Sequence, residues 1–345
     1  MAYIYNTKPP GIIDPVGHPR EDVVYMLSYP RCGSTWFRYC FEFITKRASN
    51  PSLESMWHTG ASMPRFLYSS HEYRDRQDSH LPPVVDPNRL YTASPKASIK
   101  HIWLRRNYKE AIISNMINLF RKISGPFVTK VYFDTDGPTN RHIQRLCADP
   151  KSLSRSNLLR VASYLVVESS QYRDHLAIEI YRYLRLMLAQ MHLGGGLALK
   201  YEDLVEDLPF MLMQLIDYLH ANFTEEVSLD VPLLSRQEMI KNKEELLQNY
   251  HYHRNLCLNL HRTHGHLAAT STDTSTNLHY YTQNIDKKVI KFITAVVEDF
   301  PSYFHSSAFP AAAAELYPDD SADFWEPCQE GVDKYLSCYN IEGAS

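Results

Sequence analysis

An α/β fold built on a central parallel sheet is what this sequence predicts, from three observations. Apolar strands near 23–29, 66–70, 99–104 and 197–201 alternate with helical stretches near 34–47, 108–122, 156–172, 175–193 and 206–222. Strands separated by helices pair in parallel, and a parallel sheet is covered on both faces, which gives three α/β/α layers. The segments richest in chemistry all fall where a strand ends, the place where open sheets of this class hold ligands.

The first strand runs through one glycine turn into the first helix, as Val23-Val-Tyr-Met-Leu-Ser-Tyr-Pro-Arg-Cys-Gly-Ser-Thr-Trp-Phe-Arg38. Pro30 and Gly33 let the backbone turn sharply, so the first N–H groups of the helix converge where its dipole also favours negative charge. Arg31 adds a cation to that point, Ser34 and Thr35 add hydroxyls, and Trp36 offers a flat face on which a base could stack. The plain alternative is a strand–turn–helix with a buried tryptophan and incidental capping. The loop GxxxxGK[ST] occurs nowhere in the chain, so an ordinary ATP or GTP loop is excluded. Cys32 reads either as a small, slightly polar filler or as a redox-sensitive thiol, since a helix N-terminus lowers thiol pKa.

The second strand lies in Arg65-Phe-Leu-Tyr-Ser-Ser-His-Glu-Tyr73 and ends in His71. An imidazole titrates near neutral pH and can take a proton without a metal, which makes His71 a candidate general base. With sixteen histidines in the chain, a solvated loop histidine is the other reading. The third strand, Ile99-Lys-His-Ile-Trp-Leu-Arg-Arg-Asn-Tyr-Lys-Glu-Ala-Ile-Ile-Ser114, again enters a helix. A guanidinium fork at Arg106 binds phosphate bidentately, and the Ser114 hydroxyl two helical turns on reaches the same group only if the chain wraps around it. Otherwise Arg105 and Arg106 end a strand in solvent and Ser114 fills a helix.

Residues Gly125–Arg155, with the turn Asp134-Thr-Asp-Gly-Pro138, read as a loop insertion suited to line an acceptor pocket. The fourth strand leads through Leu197-Ala-Leu-Lys-Tyr-Glu-Asp-Leu204 into a helix and leaves Tyr201 at the strand end. Leu234-Ser-Arg-Gln-Glu-Met239 follows, and then a loop, Leu260-His-Arg-Thr-His-Gly-His-Leu267. His251, His253, His261, His264 and His266 gather there. Their spacing fits neither a helical metal-ligand pair nor a Cys/His finger, so partly protonated histidines around a phosphate are the simpler account than a metal.

Together these motifs resemble the PAPS-dependent sulfotransferases of the soluble, cytosolic type, over about residues 20–295. PAPS is 3′-phosphoadenosine 5′-phosphosulfate. The resemblance implies a P-loop-like fold in which Tyr29–Trp36 is the 5′-phosphosulfate loop, so that Arg31, Cys32, Gly33, Ser34, Thr35 and Trp36 bind the cofactor. Arg106 and Ser114 would contact the 3′-phosphate, Tyr201 would lie near the adenine, and His71 would be the catalytic base. Ser235 and Met239 match a segment that closes over the adenine, although its aromatic is replaced by Arg236, which stacks as a plane or points away. Arg262 and Gly265 stand in for the family's Arg-Lys-Gly-x-x-Gly clamp, whose second glycine is absent. Cytosolic members carry a lysine two residues before the histidine; here that residue is Ser69, so the cation on the transferring group is missing or is supplied by Arg31.

The implied reaction needs no metal. His71 deprotonates a hydroxyl or amine, the acceptor attacks sulfur in line, and 3′-phosphoadenosine 5′-phosphate leaves, with Arg31, Ser34 and Thr35 stabilising the charge that grows on the bridging oxygen. Two other classes stay open. A nucleotide-dependent phosphotransferase lacks its Walker lysine and an acidic Mg²⁺ signature here. A non-catalytic PAPS-binding protein would keep Arg106, Ser114 and Trp36 and lose the base.

Composition sets the frame. A chain of 345 residues with 44% hydrophobic content can bury a sizeable core, read as one enzyme domain over 1–300 followed by an acidic, aromatic-bearing extension over 301–345. A net charge of −3 argues against general nucleic-acid binding, which needs a basic surface. Six irregularly spaced cysteines without CxxC read as reduced thiols. Residues 1–22 have no apolar signal core, and Leu176–Leu193 carries Glu179, Arg182 and Arg185, so no membrane segment and a cytoplasmic location are expected. Phe324, Trp325, Tyr335 and Tyr339 make the tail either solvated or packed over the active site or a neighbouring subunit of a homodimer. Glu72, Asp75 and Asp78 after the candidate base are a solvated run or, if they face the pocket, favour a cationic small-molecule acceptor.

Overall fold

A computed structural model describes residues 24–50, 65–70, 100–122, 155–168, part of 173–187, 196–223, 233–263 and 285–298. The chain divides into two compact units, Met1–Arg106 with His192–Thr272, and Asn107–Met191 with Asp273–Ser345. The expected insertion over 125–155, apart from Arg155 at the start of a helix, and the extension over 301–345 lie outside the described residues.

The first unit is organised by five parallel strands: β1 (Val24–Ser28), β2 (Ala48–Asn50), β3 (Arg65–Ser70), β4 (Lys100–Arg105) and β5 (Leu197–Lys200). Their spatial order is β2-β3-β1-β4-β5, so β1 is central and the strand order reverses beside it. Val24 of β1 faces Leu67 of β3 on one side and Lys100 of β4 on the other, while Arg105 of β4 faces Lys200 of β5. Side chains of successive residues point to opposite faces of a strand. Since Val24, Met26, Leu27 and Ser28 of β1 and every residue from His101 to Leu104 of β4 are buried, both faces of the sheet are covered.

Helix α1 (Ser34–Thr45) follows β1 and is buried all round, with Phe37, Cys40, Phe41 and Ile44 at its centre. It ends at Lys46, which takes a left-handed conformation and donates its N–H to Glu42. A short helix α4 (Tyr201–Glu206) leaves β5 at once. Asp207 then accepts from the Phe210 N–H and caps α5 (Leu208–Asn222), whose first turn holds Pro209. Helices α6 (Arg236–Gln248) and α7 (Tyr250–Thr263) complete this unit, and both pack on α1.

The second unit holds α2 (Tyr108–Lys122), α3 (Arg155–Glu168), helical residues within 173–187, and α8 (Lys287–Glu298). Asn107 begins α2: its side-chain oxygen accepts from the Lys109 N–H at 3.0 Å. Helices α2, α3 and α8 pack on one another, and Ile112, Ile113, Leu159, Val161, Leu165, Val289 and Ile293 on them are buried.

Four of these strands stand where the apolar runs place them, and three differences have physical causes. The three-residue β2 is too short to show a period. Tyr201 opens α4 and does not end β5, because the pairing of β5 with β4 ends at Lys200 opposite Arg105, the last residue of β4. The expected loop Leu260–Leu267 is helical as far as Thr263, since α7 continues through it.

His101 is a titratable group buried in β4. It stacks on Trp103 at 5.7 Å, and Gly196 lies against it at φ 79°, where an added Cβ would come within 2.7 Å of the His101 carbonyl oxygen. Burial holds the imidazole down at about 4, against an ordinary 6.5. Between those values the unfolded chain binds a proton that the native one does not, so stability falls on acidification through that window, by up to about 3 kcal/mol. Chemical denaturation across pH 4–7 should show this slope, reduced in His101→Phe; an unchanged slope in the variant contradicts the account.

Candidate functional site

The carboxyl ends of β1, β4 and β5 meet around one turn. After β1, the Cys32 N–H bonds back to the Tyr29 carbonyl at 3.3 Å. Arg31 and Gly33 both take left-handed backbone, with φ of 73° and 82°. For Gly33 the conformation is free, whereas for Arg31 it costs about 1–3 kcal/mol and needs support. That support is visible: Arg106, itself 2% exposed, donates from Nη1 to the Arg31 carbonyl at 2.8 Å.

The guanidinium of Arg106 also lies over the Tyr201 ring, 4.2 Å from its centroid. Tyr201 in turn floors the turn. A Cβ added at Gly33 would come within 2.7 Å of Leu204 Cδ2 and 2.9 Å of Tyr201 Cδ2. Glycine is therefore required at this position twice, for its backbone angle and for its lack of a side chain.

The turn delivers α1 with no side-chain cap. The first intrahelical bond at this end runs from the Phe37 N–H to the Gly33 carbonyl at 3.0 Å, so Ser34, Thr35 and Trp36 begin the helix with N–H groups that have no intrahelical acceptor. Oriented amides, a positive helix end and a nearby guanidinium are the donor set an anion such as a sulfate or phosphate ester needs.

Several expected site residues sit otherwise than the sequence alone suggests. Trp36 is 5% exposed: Tyr39 stacks on it at 5.4 Å, Tyr250 meets it edge-on and the Arg254 guanidinium lies over it, so no open face awaits a base. Cys32 is buried, and burial pushes its thiol up to about 12 against the pull of Arg106 and Arg31, which fits the filler reading. Ser235 caps α6 in a reciprocal box with Glu238, its hydroxyl 2.7 Å from Glu238 Oε2. Arg236 points away to Asp217, at 2.8–2.9 Å.

Three of the five histidines expected around a phosphate lie on a helix. His251, His253 and His261 belong to α7, and His253 is buried with its Nδ1 2.8 Å from the Tyr39 hydroxyl. Arg262 is in the last turn of α7; Gly265, His264 and His266 lie outside the described residues. So does His71, which follows directly on β3, the neighbour of β1. Ser114 is buried on α2 of the second unit. Sequence reasoning missed Arg254 and Tyr250; their i, i+4 spacing on a helical run was the available signal.

A family model described as a sulfotransferase domain matches residues 21–266. No curated protein matches the chain. Among solved structures that match is that of the mouse sulfotransferase SULT7A1 complexed with PAP, at 15% identity, covering 89% of this chain and 94% of that one, with a TM-score of 0.32. No helix among the described residues is long and apolar enough to cross a membrane.

Gly33→Ala should lower stability by about 1–3 kcal/mol from the backbone angle alone, with displacement of Leu204 and Tyr201 adding to it. Thermal unfolding measures the loss. A melting temperature equal to that of the wild type would show that the turn relaxes freely.

Proposed function

The chain belongs to the sulfotransferase domain family, and from that premise we propose that it moves a sulfuryl group from PAPS to a hydroxyl or amine of a small-molecule acceptor. The observation that carries this reading is the uncapped head of α1, set by two left-handed residues and held by Arg106. PAPS supplies the activated sulfuryl group. Ser34, Thr35 and the N–H groups around Gly33 hold its 5′ end, and Arg106 with Ser114 reads its 3′-phosphate, following the family spacing. Tyr201 lies on the base side of Arg106, and Arg262 and Gly265 add the remaining clamp.

His71 is the proposed general base. It follows Ser70, which pairs with Leu27 next to the start of the anion turn. With Ser69 in place of a lysine, Arg31 is the cation assigned to the transferring group. The amides at the head of α1 then act as fixed dipoles whose orientation costs nothing at the moment of reaction. If Glu72, Asp75 and Asp78 face the pocket they favour a cationic acceptor, and the −3 net charge leaves attraction of the anionic cofactor to the local arginines.

Transfer of labelled sulfate from PAPS to an acceptor library tests the reaction. In thermal shift, 3′-phosphoadenosine 5′-phosphate should stabilise the chain and ADP much less, because a ligand that binds only the folded state raises its melting temperature and ADP has no 3′-phosphate. Equal shifts would remove the roles given to Arg106 and Ser114.

Kinetics separate chemistry from binding. His71→Ala should lower kcat by about two to four orders of magnitude with cofactor affinity nearly unchanged. Arg106→Ala should weaken cofactor binding by about 1.5–3 kcal/mol, the range for a hydrogen bond to a charged group. Near-normal turnover by the His71 variant at saturating PAPS would place the base elsewhere.

A further inference from the structure

A charged network runs through the interior of the second unit, away from the anion turn. Asn115 of α2 is 3% exposed, and Glu179, in the helical residues within 173–187, is 5% exposed. Asn115 Nδ2 donates to Glu179 Oε2 at 2.8 Å, and Arg182, three residues after Glu179, donates from Nη1 to Oε1 at 2.7 Å. Each carboxylate oxygen therefore has its own donor. The group cannot turn without breaking both bonds.

Stability alone does not account for such an arrangement. Burying an ion pair is often no better for folding than apolar residues of the same volume, because desolvation of the charges offsets their attraction. Ile112, Ile113 and Met116 on α2, and Leu176, Ile180 and Tyr183 around Glu179 in sequence, are all buried, so the polar pair is the exception among its neighbours. What it adds is direction. Apolar helix packing tolerates a scatter of about 15–20° in crossing angle, whereas a hydrogen bond weakens steeply once its angle falls below about 120°. The bond fixes the rotation and height of α2 at Asn115, beside the buried Ser114.

Resting on the role given to Ser114 above, we propose that Glu179, acting through Asn115, is a positioning residue that aims the Ser114 hydroxyl at the 3′-phosphate of the cofactor. A hydroxyl bonds a phosphate oxygen only over about 2.5–3.0 Å, so a helix that rolls by a fraction of a turn takes it out of range. Arg182 completes the brace in two ways: it holds the second oxygen of the carboxylate, and it cancels a negative charge buried behind a helix that serves an anion. An amide on an uncharged acceptor would lack that second anchor.

Calorimetric titration of the full chain with two ligands tests this. One is 3′-phosphoadenosine 5′-phosphate; the other is adenosine 5′-phosphate, the same nucleotide without the 3′-phosphate. Asn115→Leu, close in size and without the donor, should weaken the first about tenfold, the lower end of the range for a lost hydrogen bond to a charged group, and leave the second unchanged. Glu179→Gln, which keeps volume and an acceptor but not the charge that holds Arg182, should shift the same ligand by less. Ser114→Ala sets the limit: Asn115→Leu added to it should cost nothing further, because both remove one contact. Additive losses, equal loss of both nucleotides, unchanged binding by Asn115→Leu, or loss of cooperative unfolding in both Asn115→Leu and Glu179→Gln overturns the positioning role and leaves the cofactor reading standing. A wild-type chain that binds the two nucleotides equally overturns the role of Ser114 and this proposal with it; one that binds neither overturns the cofactor reading itself.

Discussion

The hydrogen bond from Arg106 to the Arg31 carbonyl is the contact on which the site depends. Between Ser28 and Ser34 the chain must reverse from the carboxyl end of the central strand β1 into a buried helix, and it does so with two left-handed residues, one of them an arginine. A carbonyl turned outward by such a backbone needs a donor, and the buried guanidinium supplies it at 2.8 Å. Strand register explains why Arg106 is there. Arg105 pairs with Lys200, so the next residues along two parallel strands, Arg106 and Tyr201, emerge side by side and stack at 4.2 Å. The ring that receives the guanidinium is also the floor beneath Gly33, so one register sets the cation, the turn and the amides together.

The head of α1 stays in place because the rest of the helix is fixed by more than apolar packing. Glu42 accepts from the Ser49 N–H at 2.8 Å and from its hydroxyl, and Ser49 accepts from Arg38 Nε at 2.9 Å. A carboxylate and a guanidinium in a buried helix are tolerated only with such partners, and the bonds tie α1 to the edge strand β2. Asn242 of α6 donates to the Ile44 carbonyl in the last turn of α1 at 2.9 Å, and His253 of α7 meets Tyr39. Burial lowers the pKa of His253, which keeps it a neutral partner for the phenol. Donors organised before any ligand arrives lose little entropy on binding one, which is what a positioning site requires.

How far this was legible in the sequence depended on period and on exposure. The strands around β1, β3, β4 and β5 read clearly because continuous apolar runs mark buried parallel strands, and the anion turn read clearly because proline, glycine and the hydroxyls lie within seven residues. Helix α6 did not, since only Met239 and Leu246 of its residues are buried and the apolar stripe is too thin to show. The pattern Ser235-Arg-Gln-Glu238 carried a capping box in plain view, and the structure spends the hydroxyl on that box. Trp36 could not be placed from sequence, because beside Tyr39 of its own helix it is covered by Tyr250 and Arg254 of α7, more than two hundred residues on.

The dipeptide Arg106-Asn107 shows why a short signature can be demanding at both positions. Arg106 closes the first unit, with one N–H on a loop carbonyl and its plane on Tyr201. Asn107 opens the second, capping α2 through the Lys109 N–H and accepting the first backbone bond from Ala111 at 2.9 Å. A lysine at 106 could give the hydrogen bond but not the flat face, and its three donors radiate from one atom where a guanidinium spreads five over a fork. A residue other than a short polar one at 107 would leave the first N–H groups of α2 without that cap. The pairing of a forked cation with a helix cap therefore follows from what each neighbour needs, before any ligand is considered.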